Sequence, residues 1–228
     1  MNLPPLHSPI RAILPFCLAL LLMATIAPAS APVLRYREQT GSDSFLFSWQ
    51  ADTAQDGATV IVTQRQGEET FRSVNTPEGI TSAWHYTKVP DTDVRVERKG
   101  NQLHFQGRVA GETIDKREPI DERPWFQPLS YSLRCMVARN QEQASFWTIR
   151  TDTLEALTLK AERGGSDQLP QTNPALHANR VTIRHDGLMS ALWSAEYWFR
   201  QGDNLFVQYR GTHGPPGTAE TVISLEQP

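Results

Sequence analysis

Residues 94–106 read VRVERKGNQLHFQ, where Val94 and Val96 alternate with Arg95 and Glu97, and Leu103 and Phe105 alternate with Gln102, His104 and Gln106. An apolar period of two lines one face of a β-strand, whereas a helix would repeat its apolar residues every three to four positions. Lys99-Gly100-Asn101 stands between the two runs as a turn signal. Strands joined by so short a turn run antiparallel, because a parallel neighbour needs a long crossover. The stretch is a hairpin.

The same grammar extends in both directions. Phe45, Phe47 and Trp49 alternate with Ser44, Ser48 and Gln50, and Val60 and Val62 precede a polar turn. Later come Leu157, Leu159 and Ala161, then Val181 and Ile183, then Leu205, Val207 and Tyr209. Asp56-Gly57, Gln66-Gly67, Ala110-Gly111, Gly164-Gly165, Asp186-Gly187 and Gly202-Asp203-Asn204 punctuate these runs; Asp-Gly in particular tolerates the positive φ of a tight hairpin turn. The expected fold is mainly β, a long antiparallel meander forming a strongly curved sheet or half-barrel. Mixed-charge runs such as Arg95 to Lys99 and Asp115 to Glu118 read as solvated strand edges, a common defence against edge pairing.

Only one segment breaks the pattern. Pro119, Pro124 and Pro128 interrupt it, and Leu129, Leu133, Met136 and Val137 then fall at i, i+4, i+7 and i+8, one face of a helix. A short helix is expected near 128–138, with Pro128 in its first turn, where a missing N–H costs nothing. It is introduced by Trp125-Phe126 and expected to lie against the concave face of the sheet. Gly164 to Ala175, with Pro170 and Pro174, reads as a long polar loop.

The N-terminal end has a different character. Up to Arg11 it carries no acid, and an apolar run follows from Ala12 to Ala27, closing on Ala27-Pro28-Ala29. These are the parts of a secretory signal peptide, expected to span residues 1–29 and to be cleaved before Ser30, with a cut after Ala31 as the second choice. The apolar run is shorter than the roughly 20 residues a spanning helix needs. Residues 30–228 are then expected to form a single β-rich domain, exported by the general secretory route, with the periplasm as its destination and no transmembrane span once the leader is gone.

With 22 basic and 25 acidic residues, a net charge of −3 spread evenly, the chain has no basic footprint for nucleic acid. Its two cysteines are Cys17, in the leader, and Cys135, so no disulfide is expected to staple the domain. Cys135 reads as a small buried hydrophobe. His85, His104, His177, His185 and His213 show no short metal-ligand spacing; His177 and His185 share a strand face but stand about 26 Å apart along it. The acid pairs Asp91/Asp93, Asp115/Glu118 and Asp121/Glu122 are embedded among basic and turn residues. No nucleophile elbow, phosphate-binding loop or dinucleotide fingerprint occurs, and Gly211 to Gly217 reads as a turn. No catalytic residue, metal or cofactor is expected.

Aromatic content is the more pointed signal. Phe146-Trp147 and Tyr197-Trp198-Phe199 are adjacent aromatics, and neighbours on a strand point to opposite faces. The expected ligand-binding residues are Trp125, Phe126, Leu133, Trp147 and Trp198, lining an apolar groove inside the curved sheet. The functional expectation is a non-catalytic exported protein that binds an apolar or lipid-like ligand or an envelope partner. The alternatives are a periplasmic hydrolase acting on glycan or lipid and a structural component of an envelope assembly.

Pro128-Leu129-Ser130 with Leu133-Arg134, and Trp198-Phe199-Arg200 with Asp203 to Tyr209, resemble the helix start and closing hairpin of exported bacterial families of unknown function. The resemblance implies a long antiparallel meander around one helix. It implies no catalytic residues.

Overall fold

The computed structural model describes residues 30–169, 176–186, 193–212 and 218–226. The expected leader, Gly187, His213 to Gly217, and Pro170 to Ala175 of the expected loop lie outside the described residues.

The strands are β1 (Leu34–Thr40), β2 (Asp43–Thr53), β3 (Val60–Gln66), β4 (Glu69–Asn75), β5 (Thr81–Lys88), β6 (Thr92–Arg98), β7 (Gln102–Val109) and β8 (Glu112–Pro119). After them come the helix α1 (Leu129–Ala138) and then β9 (Gln143–Ile149), β10 (Ala156–Gln168), β11 (His177–His185), β12 (Ser194–Arg200), β13 (Phe206–Thr212) and β14 (Glu220–Leu225). All fourteen strands form one open antiparallel sheet in the order β8-β7-β6-β5-β4-β3-β2-β1-β14-β13-β12-β11-β10-β9. The hairpin read from residues 94–106 is β6–β7, with Val96 opposite Phe105. Every strand pair joins sequence neighbours except β1–β14, where Tyr36 faces Leu225, while β8 and β9 stand at opposite edges. The run of strands thus begins with β1 in the middle of the sheet, proceeds to one edge, crosses through α1 to the other edge, and returns.

The helix shows how far the sheet curls. The β4–β5 and β12–β13 turns lie at the same end of the sheet, six strand spacings apart, or about 29 Å on a flat surface. Both nevertheless reach α1. Ser132 Oγ donates to the Gly79 carbonyl at 2.6 Å, and Arg134 Nη2 donates to the Asp203 carbonyl at 3.3 Å. A helix with its side chains is about 10–12 Å across, so the sheet has to wrap around it.

Leu133, Met136 and Val137 of α1 are buried against Tyr36, Phe47, Phe146, Phe199 and Phe206 in the main core, and Leu129 packs at its margin. A second core lies under β5–β7, where Trp84, Val94, Val96, Leu103 and Phe105 are covered by Ile120 and Trp125 of the crossover and by Ile149 and Leu154. Near the second core, Lys116 Nζ donates to the Leu154 carbonyl at 2.8 Å and the Glu118 carboxylate accepts the Ala156 N–H at 3.0 Å. These contacts tie edge strand β8 to the β9–β10 turn without closing a barrel.

The structure departs from the sequence reading in three places. Pro128 is extended, at φ −95° and ψ 151°, and precedes the helix instead of occupying its first turn. Gly164-Gly165 is no turn: β10 continues to Gln168, and the extra residues are absorbed by an irregularity between Arg163 and Ser166 opposite β11. Val207 does not share a face with Tyr209, because the β12–β13 register shifts between Trp198 and Phe199; Val207 packs with Trp198 on the outer face.

Candidate functional site

The segment from Pro124 to Gln127 acts as a short linker strand between the two flanks of the curl. Trp147 N–H donates to the Pro124 carbonyl at 2.8 Å, Phe126 N–H donates to the Trp147 carbonyl at 2.9 Å, and Thr81 N–H donates to the Trp125 carbonyl at 2.8 Å. The Gln127 side-chain carbonyl accepts from Thr148 Oγ1 and from Ile149 N–H, each at 3.0 Å, and its backbone N–H donates to Thr81 Oγ1 at 2.8 Å. Thr81 Oγ1 in turn donates to Asn75 Oδ1 at 2.8 Å. Buried polar groups are stable only when answered in this way, so the belt locks the crossover in place between the two cores.

Four of the five expected ligand residues meet around this segment. Trp125 and Leu133 are fully buried, both at 0% exposure. Phe126 is buried and stacks on Phe146 with ring centroids 4.8 Å apart. Trp147 is half-buried; its indole N–H donates to Asp121 Oδ1 at 2.8 Å, and the Arg123 guanidinium lies 5.1 Å from its ring. Arg123 also ion-pairs with Asp121 at 2.6 Å and with Asp186 at 2.9 Å. These hydrogen bonds hold the Asp121 carboxyl far below the usual carboxylate range, the Arg123 contribution being largest. Trp198 stands apart from the other four. It lies on the outer face with Leu169, Ala178 and Val207, and its indole N–H donates to Asp167 at 2.8 Å.

A second stretch of the inner wall, only partly covered, is built from other residues. Alternation along β1 puts Glu38 on the same face as the core residue Tyr36. Its cross-strand partners are Phe45 on β2 and Ile223 on β14. Beyond Ile223 come Tyr209 and then Tyr197, whose rings meet edge-on at 5.0 Å. On the opposing flank Phe71 stacks on Tyr86 at 4.9 Å, and Glu69 ion-pairs with Lys88 at 2.9 Å. Glu38, Phe45, Phe71, Tyr197 and Ile223 are all half-buried. Burial, and secondarily the Glu69 carboxylate, push the Glu38 carboxyl upward. On a flat sheet Glu38 and Glu69 would stand three strands apart; the curl brings their charges into each other's field. Aromatic alternation marks Phe45 and Tyr209 in the sequence. Glu38 is marked only by being an acid in register with Tyr36, a signal that depends on first recognising β1.

The features that suggest catalysis lie elsewhere. His85 meets Asp93 and His104 meets Asp115, each at 2.7 Å. Both pairs sit on the outer face of β5–β8, because they alternate with the core residues Trp84, Val94 and Phe105. The His104 and Gln106 hydrogen bonds lower the Asp115 carboxyl, as expected of structural cross-strand pairs. Asp115 and Glu118 point to opposite faces of β8, and Asp121 is engaged by Arg123 and Trp147. Among the described residues no group of three or more His, Cys, Asp or Glu side chains is arranged to hold a metal ion.

An open, strongly curved antiparallel sheet wrapped around one helix defines a β-barrel-like fold. Among solved structures the chain is similar to a β-barrel-like protein of the domain of unknown function DUF1849 from Brucella abortus, with TM-score 0.59 and 7% identity over 87% of this chain and 96% of that one. It also aligns with a DUF1329 family protein from Desulfovibrio piger, at TM-score 0.28 and 9% identity over 87% of this chain and 83% of that one. A LolA superfamily protein from Nitrosomonas europaea aligns at TM-score 0.27 and 7% identity over 88% of this chain and 86% of that one. No protein-family profile and no curated protein matches the chain. At these identities the Brucella likeness is one of fold.

Proposed function

We propose that this protein is an exported, non-catalytic binding protein of the periplasm that holds an apolar or lipid-like ligand against the inner wall of its curved sheet. The observation that carries the reading is the half-buried run Phe45, Ile223, Tyr197 and Phe71, apolar side chains on the inner face that packing covers only in part. A curved sheet lined with apolar side chains is a common seat for such ligands. Trp125, Phe126 and Leu133 lie in the packed cores beside it. Among the described residues the exposed large apolar side chains are Val33 before β1, Leu46 on β2, and Ile80 and Val89 on either side of β5, an arrangement that does not favour a structural assembly surface.

The test is mass spectrometry of lipids extracted from natively purified protein, paired with titration of a fluorescent fatty-acid analogue and of an uncharged monoacylglycerol. A co-purifying amphiphile, or saturable binding of either probe, is the expected result. Protein that is empty and binds neither probe rejects the reading.

A further inference from the structure

We infer that the ligand's polar end is cationic, an ammonium group on an apolar body, seated against the Glu38 carboxylate and the half-buried Phe45 ring directly opposite it; this rests on the inner wall being the ligand face. Glu38 is flanked across the sheet by two apolar side chains, Phe45 and Ile223. Among the described residues no ion pair engages its carboxylate, and the Tyr209 phenol, its ionisation pushed upward by burial, lies close enough for the Glu38 charge to add to that push. The arginines of its own strand, Arg35 and Arg37, alternate to the outer face, and Arg37 is engaged there by Glu226 at 2.7 Å. From β2 and β14 its inward neighbours are Phe45, Phe47, Thr221 and Ile223, all uncharged, and the one charged residue of that parity, Asp43 at the start of β2, is an exposed acid and no partner for a carboxylate. From β13 it is Tyr209, and the adjacent Arg210 points outward to Glu220 at 3.7 Å. Across the curl stands Glu69, whose charge Lys88 already answers at 2.9 Å.

An unanswered carboxylate in an apolar surrounding is costly unless something pairs with it. Here the complement missing from the wall is one positive charge. The Phe45 ring beside it suits the same occupant, because a cation is attracted to the face of an aromatic ring, the more so when desolvated. A fatty-acid carboxylate placed there would meet Glu38 and Glu69, two like charges, so the wall selects against an anionic head as well as for a cationic one. The upward push on the Glu38 carboxyl from burial and from Glu69 agrees with this, since a bound ammonium would relieve both.

The experiment titrates wild type and Glu38→Gln at pH 7.5 with dodecyltrimethylammonium, dodecanoate and monolauroylglycerol, each below its micellar concentration, by calorimetry, with circular dichroism to confirm that the variant is folded. In the wild type the ammonium is expected to bind at least about tenfold tighter than dodecanoate, and Glu38→Gln is expected to abolish that preference. Dodecanoate binding as tightly as the ammonium, or a preference that survives Glu38→Gln, overturns the inference. The uncharged probe separates the two claims. If it binds and the charge preference is absent, only the cationic head is rejected; if none of the three binds, the ligand-face reading falls and this inference with it.

Discussion

Ser132 Oγ donates a 2.6 Å hydrogen bond to the carbonyl oxygen of Gly79, and at that contact α1 meets the β4–β5 turn with no room to spare. Gly79 has φ +85°, and a Cβ there would stand 2.8 Å from Ser132 Cα. Gly79→Ala therefore combines backbone strain with a clash against main chain, and its expected cost is about 2–4 kcal/mol. Ser132→Ala removes one buried donor and is expected to cost about 1–3 kcal/mol. Urea denaturation of both variants checks the order; a Gly79→Ala protein as stable as wild type would mean that the turn can move away from the helix.

Leu133 is fully buried in the main core, so α1 acts as a plug and not as a cover that opens. Leu133→Ala is expected to lower stability by about 2–5 kcal/mol, as cavity-forming core changes do, a large share of what a typical domain possesses. Thermal unfolding monitored by circular dichroism reads this directly. A variant whose melting temperature hardly moves would show that the helix does not carry the core.

Asp121 links the crossover to Trp147, and its carboxyl is depressed by Arg123 first and by Trp147 second. A group whose folded-state pKa lies below its unfolded value of about 3.9 adds stability above that pH and loses it as pH falls through the folded value. Asp121→Asn is therefore expected to destabilise most above about pH 4, with the gap from wild type narrowing in stronger acid. Denaturation midpoints at pH 7, 4 and 2 test this, and a gap that widens on acidification would contradict it.

Glu38 behaves with the opposite sign. Its folded-state carboxyl is raised by burial and by Glu69, so its ionisation weakens the fold as pH rises from about 4, the unfolded value, through the raised one. Glu38→Gln in ligand-free protein is expected to be near neutral below pH 4 and stabilising at pH 7. Midpoints across that range decide the matter; a variant less stable than wild type at pH 7 would indicate that the carboxylate has a partner in the fold.

The sequence was most legible where the period was cleanest. Val94 to Gln106 shows β6–β7, and Leu129, Leu133, Met136 and Val137 show α1, because in each the apolar residues keep the period of the element, although polar His104 and Ser132 are buried as well. Strand β1 was obscured: in LRYREQT only Leu34 and Tyr36 are inward and apolar, and the next inward position is Glu38. An acid facing inward looks in sequence like any solvated one, so the half of the site that depends on charge was hidden with it. For Tyr197-Trp198-Phe199, adjacency shows that aromatics split between faces but not which one goes inside, and Trp198 lies outside. The irregularity between Trp198 and Phe199, invisible to a period count, also moved Val207 outward.

The pairing of β1 with β14 bears on how this chain reaches its fold. Glu226 N–H donates to the Arg35 carbonyl at 2.9 Å, so segments nearly two hundred residues apart in sequence are hydrogen-bonded neighbours at the middle of the sheet. Every other strand pair joins sequence neighbours and can zip locally, but this one has to close the longest loop in the molecule. Until β14 arrives, β1 has an unpaired edge at the centre of the growing structure, the kind of template that recruits foreign strands. The charges of β1 that alternate outward, Arg35 and Arg37, lie along that edge, where they discourage such pairing while the last strand is still to come.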